Sequence, residues 1–158
     1  MVEKSVLFVC LGNICRSTMA EAVFRHIIST RSDLQCWKVD SCGTSYYNNG
    51  NDPDYRTLDT LRMHGINSYT HKARQISKLD FDRFKWIFVM DSSNYKTVKS
   101  LLPKSSNNNL FLLRFYDPDK EEVNPSIIDP YDNGRDCFEL CYQQCLKSIN
   151  NFLAKEFN

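Results

Sequence analysis

The stretch SVLFVCLGNICRST, residues 5–18, joins an apolar run to a loop that holds a glycine, two cysteines and an arginine. The apolar, β-branched run predicts a strand that is covered on both faces. From Ser17 onward the sequence predicts a helix, whose apolar face would carry Met19, Ala22, Val23, His26 and Ile27. The stretch therefore predicts a strand, a loop and a helix in immediate succession.

The same alternation continues along the chain. Further strands are predicted in WKVDSCG, KWIFVMD and NLFLLRF, and they alternate with helical patterns within 52–65, 92–103 and 137–157. This order predicts an α/β fold with a four-stranded, parallel, twisted sheet and helices on both faces. Ligands of such folds bind at the carboxyl ends of the strands, where Cys10, Ser41 and Asp91 are expected to meet.

Length and composition favour one domain over residues 1–158, with 42% apolar residues and a net charge of +1. This balance does not suggest a nucleic-acid partner or a basic membrane-binding face. The N-terminal apolar run is too short for a secretory signal, and no segment reaches the length of a membrane span. Seven cysteines in such a chain are expected to be thiols, so we expect a soluble, cytoplasmic protein.

The loop after the first strand has the features of an anion site. Its backbone N–H groups and the start of the helix would face a bound anion together, and Arg16 would grip two of its oxygens. Gly12 would allow the tight turn, and Asn13 tolerates a left-handed backbone. Cys10 at the mouth of this loop would be an ionised nucleophile facing a phosphoryl group, with Ser17 hydrogen-bonded to its sulfur.

Two other interpretations of these cysteines are weaker. Cys10 and Cys15 have four residues between them, unlike a thioredoxin-type pair, so a reversible disulfide would protect the nucleophile rather than be the main reaction. A metal site is disfavoured because no histidine or cysteine pair lies nearby at zinc spacing and Arg16 would oppose a cation. A later set, Cys137, Cys141 and Cys145, spans about 12 Å of one helix face, which favours small core residues over a metal site.

Several motifs together resemble the low-molecular-weight protein tyrosine phosphatases over nearly the whole chain. They are VCLGNICRS, VDSCGT, NDPDYR, HKARQ, MDSSN, the DPY of residues 129–131, and YQQC, in that order. The resemblance implies hydrolysis of phosphotyrosine in proteins, and of small aryl phosphates, through a phosphocysteine. It implies no metal and no cofactor, and phosphate, sulfate or vanadate as anions that bind the loop.

The resemblance also implies roles for individual residues. Cys10 would be the nucleophile, Arg16 would bind the phosphoryl oxygens, Ser17 would assist thiolate departure, and Asp129 would be the general acid and base. The phosphate loop would further comprise Leu11, Gly12, Asn13, Ile14 and Cys15, supported by Ser41, His71 and Asp91. The substrate pocket would be walled by Tyr47, Asn48, Tyr131 and Asp132, together with Leu11.

Some assignments have rivals. Asp117 also precedes a proline, but the aromatic residue after Pro130 favours Asp129 as the acid, and we interpret Asp117 as a loop residue. Without the resemblance, His71 would be a surface residue and Asp91 a carboxylate at a helix start. Asp132 stands where relatives often carry a second tyrosine, which leaves its effect on substrate preference open.

Other functions are less well matched. Arsenate reductases share the loop but need resolving cysteines in mid-chain, and residues 43–136 contain none. Protein-arginine phosphatases tend to carry threonine at the position of Ile14, which favours a tyrosine phosphatase here. A catalytically inactive phosphotyrosine-binding module is disfavoured because Cys10, Arg16, Ser17 and Asp129 are all present.

Overall fold

The structure is a computed structural model that describes residues 2–158. In chain order, its elements are β1 (Val2–Cys10), α1 (Arg16–Ser29), β2 (Lys38–Gly43), α2 (Tyr55–Met63), α3 (Asp80–Arg83), β3 (Phe84–Val89), α4 (Ser92–Leu101), β4 (Asn109–Leu112) and α5 (Arg135–Phe157). Apart from the short helix α3, the alternation of strands and helices is the one that the sequence predicts.

The four strands form one parallel sheet in the order β2-β1-β3-β4. Phe8 of β1 lies beside Ser41 of β2 on one side and Phe88 of β3 on the other, and Phe88 pairs in turn with Phe111 of β4. The all-parallel sheet confirms the predicted fold class. β1 has a strand on each side, so the loop that follows it leaves from the middle of the sheet.

Alternate residues of the central strands are buried against different helices. Val6, Phe8 and Phe88 belong to a core with residues of α1 and α5, whereas Leu7 and Val89 belong to a second core with residues of α3 and α4. Because successive side chains point to opposite faces of a strand, helices cover both sides of the sheet. This explains why the strands have apolar runs instead of alternating patterns.

Three details differ from the sequence-based prediction. β4 ends at Leu112 and a 3₁₀ turn follows, because the side chain of Arg114 turns inward to pair with Asp117. The short helix α3 was not predicted, since four residues carry no periodic signal. His26 is exposed, and the buried face of α1 continues through Phe24 and Ile27 instead.

Among residues 2–158, the structure contains no helix that is both long and apolar enough to cross a bilayer.

Candidate active site

The loop between β1 and α1 is held in shape by Asn13. This residue has a φ of +57°, a left-handed conformation that asparagine tolerates better than most residues. Its buried side chain donates to Ser17 Oγ (2.8 Å) and Ser41 Oγ (3.0 Å) and accepts from His71 Nε2 (2.8 Å). Since the amide nitrogen donates to both serines, the amide oxygen must accept, and His71 therefore carries a proton on Nε2.

Gly12 contributes space instead of an unusual backbone angle. A Cβ at this position would lie 2.6 Å from Asn48 Nδ2, which itself donates to the Gly12 carbonyl (3.2 Å). The tight turn that the sequence assigns to Gly12 is made by the left-handed Asn13, and Gly12 allows Asn48 to pack directly over the loop.

The sulfur of Cys10 lies beneath two hydrogen-bonding groups of the loop. Ser17 Oγ is 3.0 Å from Sγ, and the backbone N–H of Asn13 donates to Sγ at 3.3 Å. Ser17 Oγ already accepts a hydrogen bond from the Asn13 amide, so its own proton is free to point at the sulfur. Both groups would therefore stabilise a negative charge on Cys10.

Arg16 is buried and fixed by groups from distant parts of the chain. Its Nη1 donates to Asp91 Oδ2 (2.6 Å) and to the carbonyl of Ile127 (3.1 Å). Burial opposes the charge on Arg16, but the nearby Cys10, Asp91 and Asp129 outweigh it and raise the pKa of the guanidinium. The group is thus held charged and in one orientation before any ligand arrives.

Asp91 caps a helix and also holds Arg16. Its Oδ1 accepts from the backbone N–H of Asn94 and caps α4, while Oδ2 holds Arg16. The helix cap therefore fixes the carboxylate that orients the arginine.

Asp129 lies at the mouth of the site, with a side chain that is 47% exposed and an Oδ2 atom 3.6 Å from Arg16 Nη2. The segment before it is tied to the sheet, because the N–H of Ile127 donates to the carbonyl of Met90 (2.8 Å). Asp117 lies elsewhere: it is buried and pairs with Arg114 at 2.9 Å. Of Asp117 and Asp129, the two candidates for the acid, only Asp129 faces Arg16.

These groups surround a cavity of about 260 Å³. Its lining comprises Cys10, Leu11, Gly12, Ile14, Cys15, Arg16, Asn48, Asp129 and Tyr131. Two predicted wall residues lie outside this lining. Tyr47 is 76% exposed and packs its ring against Tyr46, with 5.1 Å between the ring centroids, and Asp132 is exposed to solvent.

Cys15 lies in the cavity wall as a buried thiol. Burial raises its pKa far above the usual value, and the negative charges of Asp54, Cys10 and Asp129 raise it further. Cys15 therefore stays protonated near neutral pH, and only Cys10 has groups arranged to support a thiolate.

A support beneath the loop includes residues that the sequence did not single out. Glu21, buried on α1, accepts hydrogen bonds from Ser41 Oγ (3.1 Å), from the Tyr69 hydroxyl and from Arg25 (3.1 and 3.2 Å). His71 Nδ1 is 3.4 Å from Glu21 Oε2. The sequence carries one indication of this support: Glu21 lies among the apolar residues of α1. A buried glutamate needs a polar or charged partner, so its position predicts nearby partners.

Within residues 2–158, one group of side chains is close enough to share a metal ion, namely Glu21, Asp40 and His71. Both carboxylates are already paired with arginines, Glu21 with Arg25 at 3.1 Å and Asp40 with Arg74 at 2.9 Å. We therefore describe this cluster as an ion-pair network that supports the loop.

Comparisons with known proteins show to which family this chain is similar. The family described as "Low molecular weight phosphotyrosine protein phosphatase" matches residues 5–158. A mouse protein of that name is 47% identical over 157 residues, which cover 98% of this chain and 97% of the mouse protein.

Two solved structures are also similar. One is a Drosophila arginine phosphatase, with a TM-score of 0.89, 39% identity and coverage of 97% and 98% of the two chains. The other is a protein tyrosine phosphatase from Entamoeba histolytica with Hepes in its active site, with a TM-score of 0.89, 29% identity and coverage of 97% and 96%.

Proposed function

The chain belongs to the low molecular weight phosphotyrosine protein phosphatase family and is a protein-tyrosine phosphatase, and we propose that it acts through a phosphocysteine formed on Cys10. The observation that carries the mechanism is the shared cavity, in which Cys10 lies beside a buried arginine and an exposed aspartate. A nucleophile, an oxyanion-binding group and a proton donor are the three parts that this transfer requires.

In the first step, the Cys10 thiolate attacks phosphorus and the bond from phosphorus to the tyrosine oxygen breaks. Asp129, as the carboxylic acid, gives its proton to the departing oxygen, so tyrosine leaves neutral. Arg16 and the loop N–H groups hold the phosphoryl oxygens as charge builds in the transition state.

In the second step, water attacks the phosphorus of the phosphocysteine. Asp129, now a carboxylate, takes a proton from that water, and the bond between phosphorus and sulfur breaks. The thiolate leaves with the hydroxyl of Ser17 and the N–H of Asn13 directed at it. Inorganic phosphate is the product, and the enzyme returns to its starting state.

The remaining loop and wall assignments are part of the same proposal. Inorganic phosphate, sulfate and vanadate would bind where the phosphoryl group binds, because the loop offers its N–H groups and Arg16 to any tetrahedral oxyanion. The side chains of Leu11, Ile14, Asn48 and Tyr131 would contact the aryl ring, with Tyr47 and Asp132 farther out, toward the rest of the substrate protein.

We also propose that the enzyme works in the cytoplasm and needs neither nucleic acid nor a membrane surface. The seven cysteines, all within residues 2–158, are unpaired, which fits a reducing compartment. With a net charge of +1, the chain has no large excess of positive charge that would bind a polyanion.

Phosphoarginine is a second candidate substrate because one of the similar structures is an arginine phosphatase. Ile14 lines the cavity of this chain and presents an apolar branched side chain there, which suits the flat face of a tyrosine ring better than the polar guanidinium of phosphoarginine. A panel of peptides with phosphate on tyrosine, serine, threonine or arginine should show turnover of phosphotyrosine above the other three.

The mechanism is tested by replacing Cys10 with serine. Turnover of a phosphotyrosine peptide should fall by at least about a thousandfold. Rapid acid quench of the wild type should yield a phosphorylated peptide that contains Cys10. Cys137→Ser, on α5 and outside the cavity, is the matched control and should keep its turnover. Substantial turnover by Cys10→Ser, or loss of wild-type activity on adding a chelator, would refute the mechanism.

A further inference from the structure

Arg56 lies in the first turn of α2 and is clamped by Asp54. Its Nε and Nη2 donate to the two carboxylate oxygens of Asp54, each at 3.0 Å, and its backbone N–H also donates to Asp54 Oδ1 at 2.9 Å. The Arg56 side chain is 21% exposed and that of Asp54 is 8% exposed. This two-point contact fixes the plane of the guanidinium.

The faces of that guanidinium meet aromatic rings from the far end of the chain. The guanidinium carbon is 4.6 Å from the ring centroid of Phe138 and 5.5 Å from that of Tyr131. Phe138 is fully buried on α5, whereas Tyr131 is 51% exposed in the loop before α5. Arg56 therefore connects an exposed wall residue of the cavity to the fixed core through cation–π contacts.

The clamp is also tied to the phosphate loop. The N–H of Asp54 donates to the carbonyl of Ile14 at 2.8 Å, and Thr57 Oγ1 donates to the same carbonyl at 3.4 Å. The Tyr131 hydroxyl makes no hydrogen bond within residues 2–158, and the N–H of Tyr131 donates to Asp129 Oδ1 at 3.1 Å. The distance between the loop and the Tyr131 ring thus depends on Arg56.

We infer that Arg56 is a positioning residue that holds Tyr131 as a wall of the cavity and so sets the affinity for the aryl group of the substrate. The inference rests on the proposed function, in which the phosphoryl group binds in the loop and the aryl ring contacts Tyr131. Substrate recognition then has two parts. The loop binds the phosphoryl group, and the Tyr131 side chain, held by Arg56, contacts the aryl ring.

Calorimetry with two ligands tests this separation without requiring turnover. Benzylphosphonate carries an aryl group that must contact the wall, whereas inorganic phosphate needs only the loop. Arg56→Lys keeps the positive charge opposite Asp54 but loses the planar, two-point contact. It should weaken benzylphosphonate binding by about three- to tenfold and leave phosphate binding within about twofold of the wild type.

Arg62→Lys is the matched control, since Arg62 lies on the same helix with a side chain that is 54% exposed. It should change neither dissociation constant. A Tyr131→Ala background tests the route of the effect, because Arg56→Lys should have no further effect on benzylphosphonate binding once the ring is gone.

The inference would be overturned if Arg56→Lys weakened the binding of phosphate and of benzylphosphonate equally, or if it left the affinity for benzylphosphonate unchanged. It would also be overturned if Arg56→Lys had its full effect on benzylphosphonate binding in the Tyr131→Ala background. If Arg56→Lys does not fold, Asp54→Asn takes its place, since asparagine caps a helix as well as aspartate does but loosens the arginine. Failure of the wild type to hydrolyse a phosphotyrosine peptide would instead count against the proposed function.

Discussion

Replacing Asn13 with alanine should destabilise the protein by about 3–5 kcal/mol. The residue is 1% exposed and joins the phosphate loop to three other segments of the chain. Its side chain makes four hydrogen bonds, with Ser17, Ser41, His71 Nε2 and the backbone N–H of Arg74. Alanine would remove all four.

The magnitude has two parts. A left-handed backbone at φ +57° costs alanine about 1 kcal/mol more than asparagine. Each buried partner that is left without a hydrogen bond costs about 1 kcal/mol, after allowance for water that enters the space. The polar part, summed over four partners, should therefore exceed the backbone part by about fourfold.

Two further variants separate these parts in urea unfolding experiments. Asn13→Gly removes the hydrogen bonds without the backbone penalty, so it should be about 1 kcal/mol more stable than Asn13→Ala. Asn124, with φ +50°, is exposed, and its side chain makes no hydrogen bond within residues 2–158, so Asn124→Ala should cost only about 1 kcal/mol. If Asn13→Ala costs no more than Asn124→Ala, the assignment of Asn13 as the centre of the support is wrong.

The other predictions concern the acid, the second cysteine and the support. Asp129→Asn should slow turnover by about a hundredfold or more with little loss of stability, whereas Asp117→Asn should lower stability and spare turnover; equal effects on turnover would reverse the assignment. Peroxide should inactivate reversibly through a disulfide from Cys10 to Cys15. Burial and nearby negative charges raise the pKa of Cys15, so its thiolate fraction is still increasing between about pH 6 and about pH 9. The rate of disulfide formation should therefore increase over this pH range. A Cys15→Ser variant that recovers equally well with added thiol would contradict this. Tyr69→Phe should lose about 1–2 kcal/mol of stability and reduce turnover severalfold. Burial and an adjacent carboxylate raise the pKa of Tyr69, so the stability loss should be constant from about pH 5 to about pH 9; a loss that varies with pH would refute a neutral hydroxyl.

Local sequence was sufficient for the strand, loop and helix at the start of the chain. The apolar run predicts β1 because this strand is covered on both faces, and Asn13, which tolerates a left-handed backbone, indicates the turn that follows. The end of β4 could not be predicted from the local sequence. Residues 109–115 are mostly apolar, yet β4 ends at Leu112, before the turn in which Arg114 points inward and pairs with Asp117.

The support beneath the loop depends on contacts between distant segments. His71 has no neighbours in sequence that indicate burial, yet its side chain is 9% exposed because Asn13 and Glu21 surround it. The helical periodicity of α1 likewise placed His26 on the buried face, and the structure exposes it. Periodicity predicts which face of an element is apolar, but it does not predict which polar side chains share a cluster.

The strand order of the sheet also determines when a newly made chain acquires its reactivity. Cys10, at the end of β1, is synthesised before Asp129 and before α5, which packs against α1. Parallel neighbours form only after the segment between them has been made, so these long-range contacts come late. Under the proposed mechanism, a nascent chain that ends before Asp129 lacks the proton donor and the helix α5, so it would not dephosphorylate its surroundings.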